Sequence, residues 1–335
     1  PLSTVAPSAR SFPESGKTVL GRFLAYWEQN GGLVQQGYPI SDEMQERSNI
    51  DGKTYTVQYF ERAVFELHPE NQPPYDVLLS LLGTLTYREK YPSGRASGQP
   101  DPLPEAPAFL PVHQKCEATH DDSDMDSGAG FVPEAPLRQS VGNGLVLTGS
   151  VMSSIDCAPI LGAKIEMRPE VGGSHPDSLR ATLFTNGLGT FRFETDFPEH
   201  IHMRVSAHGF KTIIANEYHT SPGRFVDSFN IVLVPDPSCM HFTETGQFLC
   251  GSFLEYWKAH GALPQQGYPI SDEFAEKSEL DGKTYTVQYF ERAVFELHHE
   301  NKAPYDILLS QLGTLLYRAK YTAAPTRTPL LVPPF

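Results

Sequence analysis

Residues 12–91 and 242–321 align without a gap at an offset of 230, and about 55 of the 80 positions are identical. The stretch DGKTYTVQYFERAVFELH, Asp51 to His68, recurs unchanged at Asp281 to His298. Two copies are too few for a solenoid, in which three or more units stack, and an unrelated segment lies between them. Each copy is therefore expected to be a small self-contained module, with a different domain between the two.

The module reads as mixed α and β. Ser15 and Thr245 are candidate N-caps, followed by Val19, Phe23 and Trp27 at helical spacing, with Gly31 and Gly261 where a C-cap belongs. After a turn-like GYPISDE, Asp51-Gly52 marks a hairpin. Tyr55, Val57, Tyr59, Ala63, Phe65 and Leu67 share one parity, as a half-buried strand or hairpin requires. Asp76 is placed to cap a last helix carrying Val77, Leu78, Leu81, Leu82 and Leu85. Both copies carry Asp42, Glu43, Glu61, Arg62, Glu66 and His68 or their partners 230 positions on. Paired carboxylates can do acid–base work, but the simpler reading is that Glu61, Arg62 and Glu66 form a solvated strand face with cross-strand ion pairs.

A chain of 335 residues is long enough for two or three domains, and 20% charged with 11% aromatic residues favours folding over disorder. The net charge of −14 disfavours nucleic acid and anionic membranes as partners, and serves equally as a solubility device. No run of about 18 apolar residues exists to span a membrane. The opening PLSTVAPSAR fits a mature chain after signal removal, or an artificial boundary. Four cysteines are compatible with two disulfides in an oxidising compartment. Three pairings are open; Cys239 with Cys250, across a short turn-rich segment, is the easiest and would leave Cys116 with Cys157.

From Pro92 to Leu137 there are eight prolines, and eight acidic residues against two basic ones. Such a segment cannot build its own core and is expected to be an extended linker, ordered by packing on its own domains, by a disulfide or by neighbouring subunits. The tail TAAPTRTPLLVPPF has the same character but ends in apolar Leu330, Leu331, Val332 and Phe335, suited to a partner's groove or a sheet edge.

Residues 140–236 alternate apolar and polar with frequent turns: GLVLTGSV, AKIEMR, ATLFT, TFRFET, HIHMRVSA, KTIIA, FNIVLV. Short strands at this spacing predict a β-sandwich. Within it, His200 and His202 at i and i+2 on a strand point to one face, roughly 7 Å apart at Cα, and can chelate one ion.

The run LTGSV…CAPILGAKIEM, LRATLFTNGLGTFRFETDFP and HIHMRVSAHGF resembles the catalytic domain of intradiol ring-cleavage dioxygenases. In that family two tyrosinates and two histidines hold ferric iron, and the resemblance places His200 and His202 at the histidine positions. The tyrosines are not carried over. IEMRPEVGGSHPD brings His175 to within about a residue of one expected position, and FETDFPEHIH runs straight through the other. The arginine expected before the H-x-H is replaced by Pro198 and Glu199, and the whole segment holds one tyrosine, Tyr218. What remains is a three-histidine set, His175, His200 and His202, suited to zinc, copper or ferrous iron, or a vestige with no metal. His208 and His219 read as surface residues. The flanking modules, through FPESG, FLAYWEQNGG, GYPISDE and YFERAVFELHPEN, resemble repeats of secreted Chloroflexus-type bacterial proteins, which implies an extracellular setting and no activity.

The expected organisation is a multi-domain, mainly β protein: an α+β module (1–91), a Pro-rich acidic linker (92–139), an intradiol-dioxygenase-like sandwich (140–237), a second module (238–321) and an extended tail (322–335). The leading functional expectation is a secreted or cell-surface structural protein, non-enzymatic and self-associating into a filament or sheath, with no cofactor required. The alternative is a metal-dependent dioxygenase-like enzyme acting on catechols. A third reading is carbohydrate or cell-wall binding, with Tyr26, Trp27 and Tyr38 as stacking residues.

Overall fold

The computed structural model describes residues 8–48, 51–92, 116–123, 131, 135–196, 198, 200–219 and 225–322, the side chains of 216–219 excepted. The acidic linker outside those residues and the apolar C-terminal tail lie beyond the described part. The chain is mainly β. Described residues within Pro1–Gly94 and Phe242–Phe335 form one compact unit, and those within Arg95–His241 another.

The first repeat opens with a hairpin of β1 (Ala9–Phe12) and β2 (Lys17–Leu20), then α1 (Gly21–Gln29) and the short α2 (Gly32–Gln36). A four-stranded antiparallel sheet follows, β3 (Met44–Arg47), β4 (Thr54–Tyr59), β5 (Val64–Leu67) and β6 (Val77–Leu79), closed by α3 (Leu82–Lys90). The Asp51-Gly52 hairpin stands, joining β3 to β4. Two helix boundaries expected from sequence do not. Val19 belongs to β2, and α1 starts at Gly21 with no side-chain cap, because Ser15 sits in the tight turn between β1 and β2. Val77 and Leu78 are in β6 rather than a helix; Asp76 pairs with Arg22 at 3.1 Å instead of capping α3.

The central unit consists of β7 (Leu145–Ser153), β8 (Lys164–Glu170), β9 (Ala181–Phe184), β10 (Thr190–Thr195), β11 (His200–Ser206), β12 (Ile213–His219) and β13 (Val226–Leu233). They form two sheets, ordered β10-β7-β13 and β12-β11-β8-β9. Leu145, Leu147, Phe193, Ile231 and Leu233 from one meet Ile165, Met167, Ile201, Met203 and Val205 from the other, all essentially without solvent exposure. This is the expected sandwich, and strict alternation along β11 sends Ile201, Met203 and Val205 inward while His200, His202 and Arg204 stay on the outer face. Described parts of the linker pack on their own domain. Thr119 and Asp122 hydrogen-bond the backbones of Val232 and Ile214, Leu137 bridges to Thr182, and a Cys116–Cys157 disulfide (Cα–Cα 5.6 Å) fastens the stretch.

The second repeat reproduces the first in β14 (Met240–Phe242), β15 (Gln247–Leu249), α4 (Gly251–Ala259), α5 (Ala262–Gln266), β16 (Phe274–Lys277), β17 (Thr284–Tyr289), β18 (Val294–Leu297), β19 (Ile307–Leu309) and α6 (Leu312–Tyr317). Cys239 and Cys250, just outside the β14–β15 hairpin, form the second disulfide, and none of the four cysteines is free.

The repeats are not self-contained. Each four-stranded sheet is buried on both faces, where a half-buried strand was expected. One face of the first sheet packs Phe60, Phe65 and Val77 against Phe23, Leu24 and Trp27 of its own α1. The other, carrying Tyr55, Val57, Tyr59 and Val64, shares a core with Tyr285, Val287, Tyr289 and Leu312 of the second repeat. The last helix of each copy lies on the sheet of the other. Tyr87 of α3 packs edge-on to Tyr289 at 5.1 Å, and Tyr317 of α6 packs edge-on to Tyr59 at 5.3 Å. Thr84 N–H donates to the Glu291 carbonyl at 3.0 Å, and Thr314 N–H to the Glu61 carbonyl at 3.0 Å. One module alone would leave an aromatic sheet face in water, and the second copy covers it.

Polar groups seal the same contact. Gln36 Nε2 donates to Gln265 Oε1 at 3.0 Å and Gln266 Nε2 to Gln35 Oε1 at 3.1 Å, while Gln35 and Gln265 reach the hydroxyls of Tyr256 and Tyr26. All four glutamines are buried, so each amide must find its partner inside. At the rim, Lys90 pairs with Glu276 at 2.8 Å and Glu279 at 2.9 Å, and Lys320 pairs with Glu46.

Candidate metal centre

The outer face of the β8–β11 pair holds a row of charged and imidazole groups. In register, His200 lies opposite Glu170, His202 opposite Arg168 and Arg204 opposite Glu166. Glu166 is nearly fully buried, and Arg204 grips it with Nε at 2.5 Å and Nη2 at 2.7 Å. Burial would raise the Glu166 carboxyl, but the hydrogen bonds from Arg204 and Lys164 hold it below the usual carboxylate value. Phe131 of the linker lies over both Arg168 and Arg204, at 4.7 and 4.9 Å from ring centre to guanidinium. This ion-paired floor fixes the strand ends from which the histidines project.

His175 arrives by a different route. After Glu170 the chain turns in Val171-Gly172-Gly173-Ser174, where both glycines have left-handed φ, 58° and 70°. Val171 and Ser174 bond backbone to backbone in both directions, so the turn is a two-residue hairpin. A hairpin of that kind places the residues on either side of the bonded pair, Glu170 and His175, across from one another.

The result is convergence on one oxygen. Glu170 Oε2 lies 2.8 Å from His200 Nε2, 3.2 Å from His175 Nε2 and 3.4 Å from His202 Nε2. Glu170, His175 and His202 offer donor atoms all within 4.8 Å of one another, and among the described residues no other such group of three exists. Donors on a tetrahedral ion with bonds of about 2.0–2.1 Å stand roughly 3.3 Å apart, which the 3.2 and 3.4 Å from Glu170 to His175 and His202 match. His200, at hydrogen-bond distance from Glu170, stands outside this group of three. Burial, and then the neighbouring Arg168, hold His175 below the ordinary imidazole value, so its lone pair is available at neutral pH.

The three expected histidines are thus together, and the sequence reading missed Glu170. The signal was present: a Gly-Gly hairpin directly after a strand, and the parity that puts Glu166, Arg168 and Glu170 on the side shared with His200 and His202. His208 is half-buried; His219 is the register partner of His200, and its side chain lies outside the described residues. Asp42 and Glu43 of the repeat are exposed, but Glu61, Arg62 and Glu66 are internal locks rather than a solvated face. Glu61 accepts the Tyr38 N–H at 3.1 Å, Arg62 donates to the Leu33 carbonyl at 3.1 Å, and Glu66 accepts the Ser80 hydroxyl beside His68. Trp27 is buried with its indole N–H on the Gly37 carbonyl, and the Tyr26 hydroxyl is taken by Gln265, which removes two of the three aromatics considered for glycan stacking.

No protein-family model and no curated protein matches the chain. Among solved structures, it is similar to the dioxygenase domain of a dioxygenase–carbohydrate-binding protein fusion from the cellulolytic bacterium Streptomyces sp. SirexAA-E, at 21% identity and TM-score 0.31, over 36% of this chain and 100% of that one. An intradiol ring-cleavage dioxygenase from Tetranychus urticae is similar at 22% identity and TM-score 0.28, over 32% and 91%. The 3-chlorocatechol 1,2-dioxygenase of Rhodococcus opacus 1CP is similar at 17% identity and TM-score 0.29, over 32% and 69%. These neighbours belong to the class that the central segment resembles in sequence. The donors here do not fit a ferric centre held by two tyrosinates: the sandwich segment has the single tyrosine Tyr218, and the converging atoms are three imidazole nitrogens and one carboxylate oxygen.

Proposed function

We propose that the chain is a secreted or cell-surface structural protein whose central sandwich binds one divalent transition-metal ion, zinc foremost, through His175, His200, His202 and Glu170. The observation that carries this reading is the approach of three Nε2 atoms to one carboxylate oxygen at 2.8–3.4 Å. Glu170, His175 and His202 supply three donors within 4.8 Å of one another. His200, at hydrogen-bond distance from Glu170 (2.8 Å), would complete the four-donor shell of structural sites on closing on the ion, whereas catalytic zinc sites keep that position open for water or substrate. Imidazole with one carboxylate suits zinc, and also copper or ferrous iron. Such an ion would tie the end of β8, the Gly-Gly hairpin and the start of β11 together. The two disulfides accord with an oxidising, extracellular setting.

The test is calorimetric titration of metal-free protein with zinc, followed by thermal melting. One ion per chain and a raised melting temperature are expected, with both lost in a His200→Ala, His202→Ala double variant. Absence of stoichiometric binding, or binding unchanged in that variant, overturns the site. Catechol-dependent oxygen uptake by iron-loaded protein, abolished by His200→Ala, would replace the structural reading with the enzymatic one.

A further inference from the structure

We propose that the two repeats are exchangeable joints, through which a second copy of this chain is recruited by pairing its repeat with a repeat of the first. The 230-residue offset duplicates the contact surface together with the fold. Gln35 and Gln36 meet Gln265 and Gln266, and the Lys90–Glu276 pair has its counterpart in Lys320–Glu46. Gly83 backs onto the Phe290 carbonyl so closely that a Cβ would stand 1.8 Å from it, and Gly313 stands in the same relation to Phe60 at 1.9 Å. Each of these contacts is made twice, by the same residue types, in opposite directions. A surface of this kind is self-complementary, as in an isologous dimer.

Self-complementarity has a consequence for specificity. At these contacts the first repeat of one chain meets the same groups on the second repeat of its own chain as on the second repeat of another. What favours the intrachain pair is effective concentration, set by the segment between α3 and β14, which contains the whole central unit. Raising the protein concentration competes directly with that term. Swapped pairing leaves every interface bond intact, so the exchanged state costs no contacts. Two chains close into a dimer, and a geometry that does not close propagates into a chain of subunits. This inference stands apart from the metal site and survives its failure.

Two experiments on the full-length chain decide it. In the first, isotopically light and heavy chains are unfolded together with disulfides intact, refolded over a range of concentrations and weighed by native mass spectrometry. Dimers of mixed isotope content are expected, rising with concentration. In the second, one variant carries Lys90→Glu and Lys320→Glu, and the other Glu46→Lys, Glu276→Lys and Glu279→Gln. Each alone has like charges at both rim positions, whereas pairing between the two restores both attractions. A one-to-one complex on mixing is expected, with the mass shifting from one chain to two. Mixed-isotope dimers or the one-to-one complex establish exchange. Single-chain masses throughout both experiments overturn it, and the isotope arm decides alone if the charge variants do not fold.

Discussion

His200 and Glu170 are register partners in the antiparallel β8–β11 pair, and Nε2 of the one lies 2.8 Å from Oε2 of the other. Because His175 and His202 approach the same oxygen, this carboxylate is the hub of the centre. Glu170→Gln keeps its shape and removes its charge. Zinc affinity, read by calorimetry, should fall by at least about 10-fold, the lower end of what even outer-shell partners of a metal site contribute. Unchanged affinity would place the ion elsewhere.

The Gly172-Gly173 turn is what delivers His175. Neither glycine has an atom within 4 Å of where a Cβ would be, so alanine meets no steric obstacle there and only the left-handed backbone resists it. The double alanine variant should cost about 2–3 kcal/mol in the turn and loosen His175 from the cluster. A weakened zinc titration with unchanged far-ultraviolet circular dichroism is the expected outcome. Full affinity in this variant would remove His175 from the ligand set.

Gly83 and Gly313 face the reverse situation, since a methyl group at either collides with backbone of the other repeat. Either alanine substitution must lift a terminal helix from the opposite sheet, at about 3 kcal/mol, the upper range for overpacking a tight contact. The two losses, measured as midpoint shifts in urea, should be nearly equal because the contacts are duplicated. Their sum should exceed the loss in the double variant, since the first substitution has already opened the shared interface. Additive losses would show that the two helices dock independently.

The rim of that interface sets a pH window. Burial works against ionisation of Glu46, but hydrogen bonds from Lys320, Tyr59 and Tyr321 outweigh it and hold the carboxyl below 4.5. A depressed folded value means its contribution is present above about 4.5 and is lost as pH falls through the folded value. Burial likewise works against Lys90, and Glu276 and Glu279 reverse the balance to above 10.5, so its contribution disappears as pH rises through that higher value. The melting temperature of the repeat unit should therefore hold between these limits and drop on both sides. Glu46→Gln should blunt the acid drop, and an acid limb unchanged by it would assign the loss to other carboxylates.

Much of this was legible in the chain itself. Alternation in HIHMRVS was enough to put His200 and His202 on one face, because side-chain direction along a strand follows from local geometry. The neighbouring IEMRPE run showed the same alternation, yet Glu170 was missed, since which strands pair and in what register is settled by distant residues. Helix starts at Ser15 and Asp76 failed for a related reason: short apolar stretches there are strands whose partners lie elsewhere in the sequence.

By itself the sequence determined the duplicated α+β module, the alternating strands of the central sandwich and the pair of imidazoles on one strand face, because each depends on residues close together along the chain. Tertiary structure decided that the two modules share one core and that Glu170 stands at the centre of three histidines. Both are matters of what covers an exposed face and which strand lies beside which, and those are fixed by packing across some 230 and 30 residues of chain, respectively, where local periodicity carries no information.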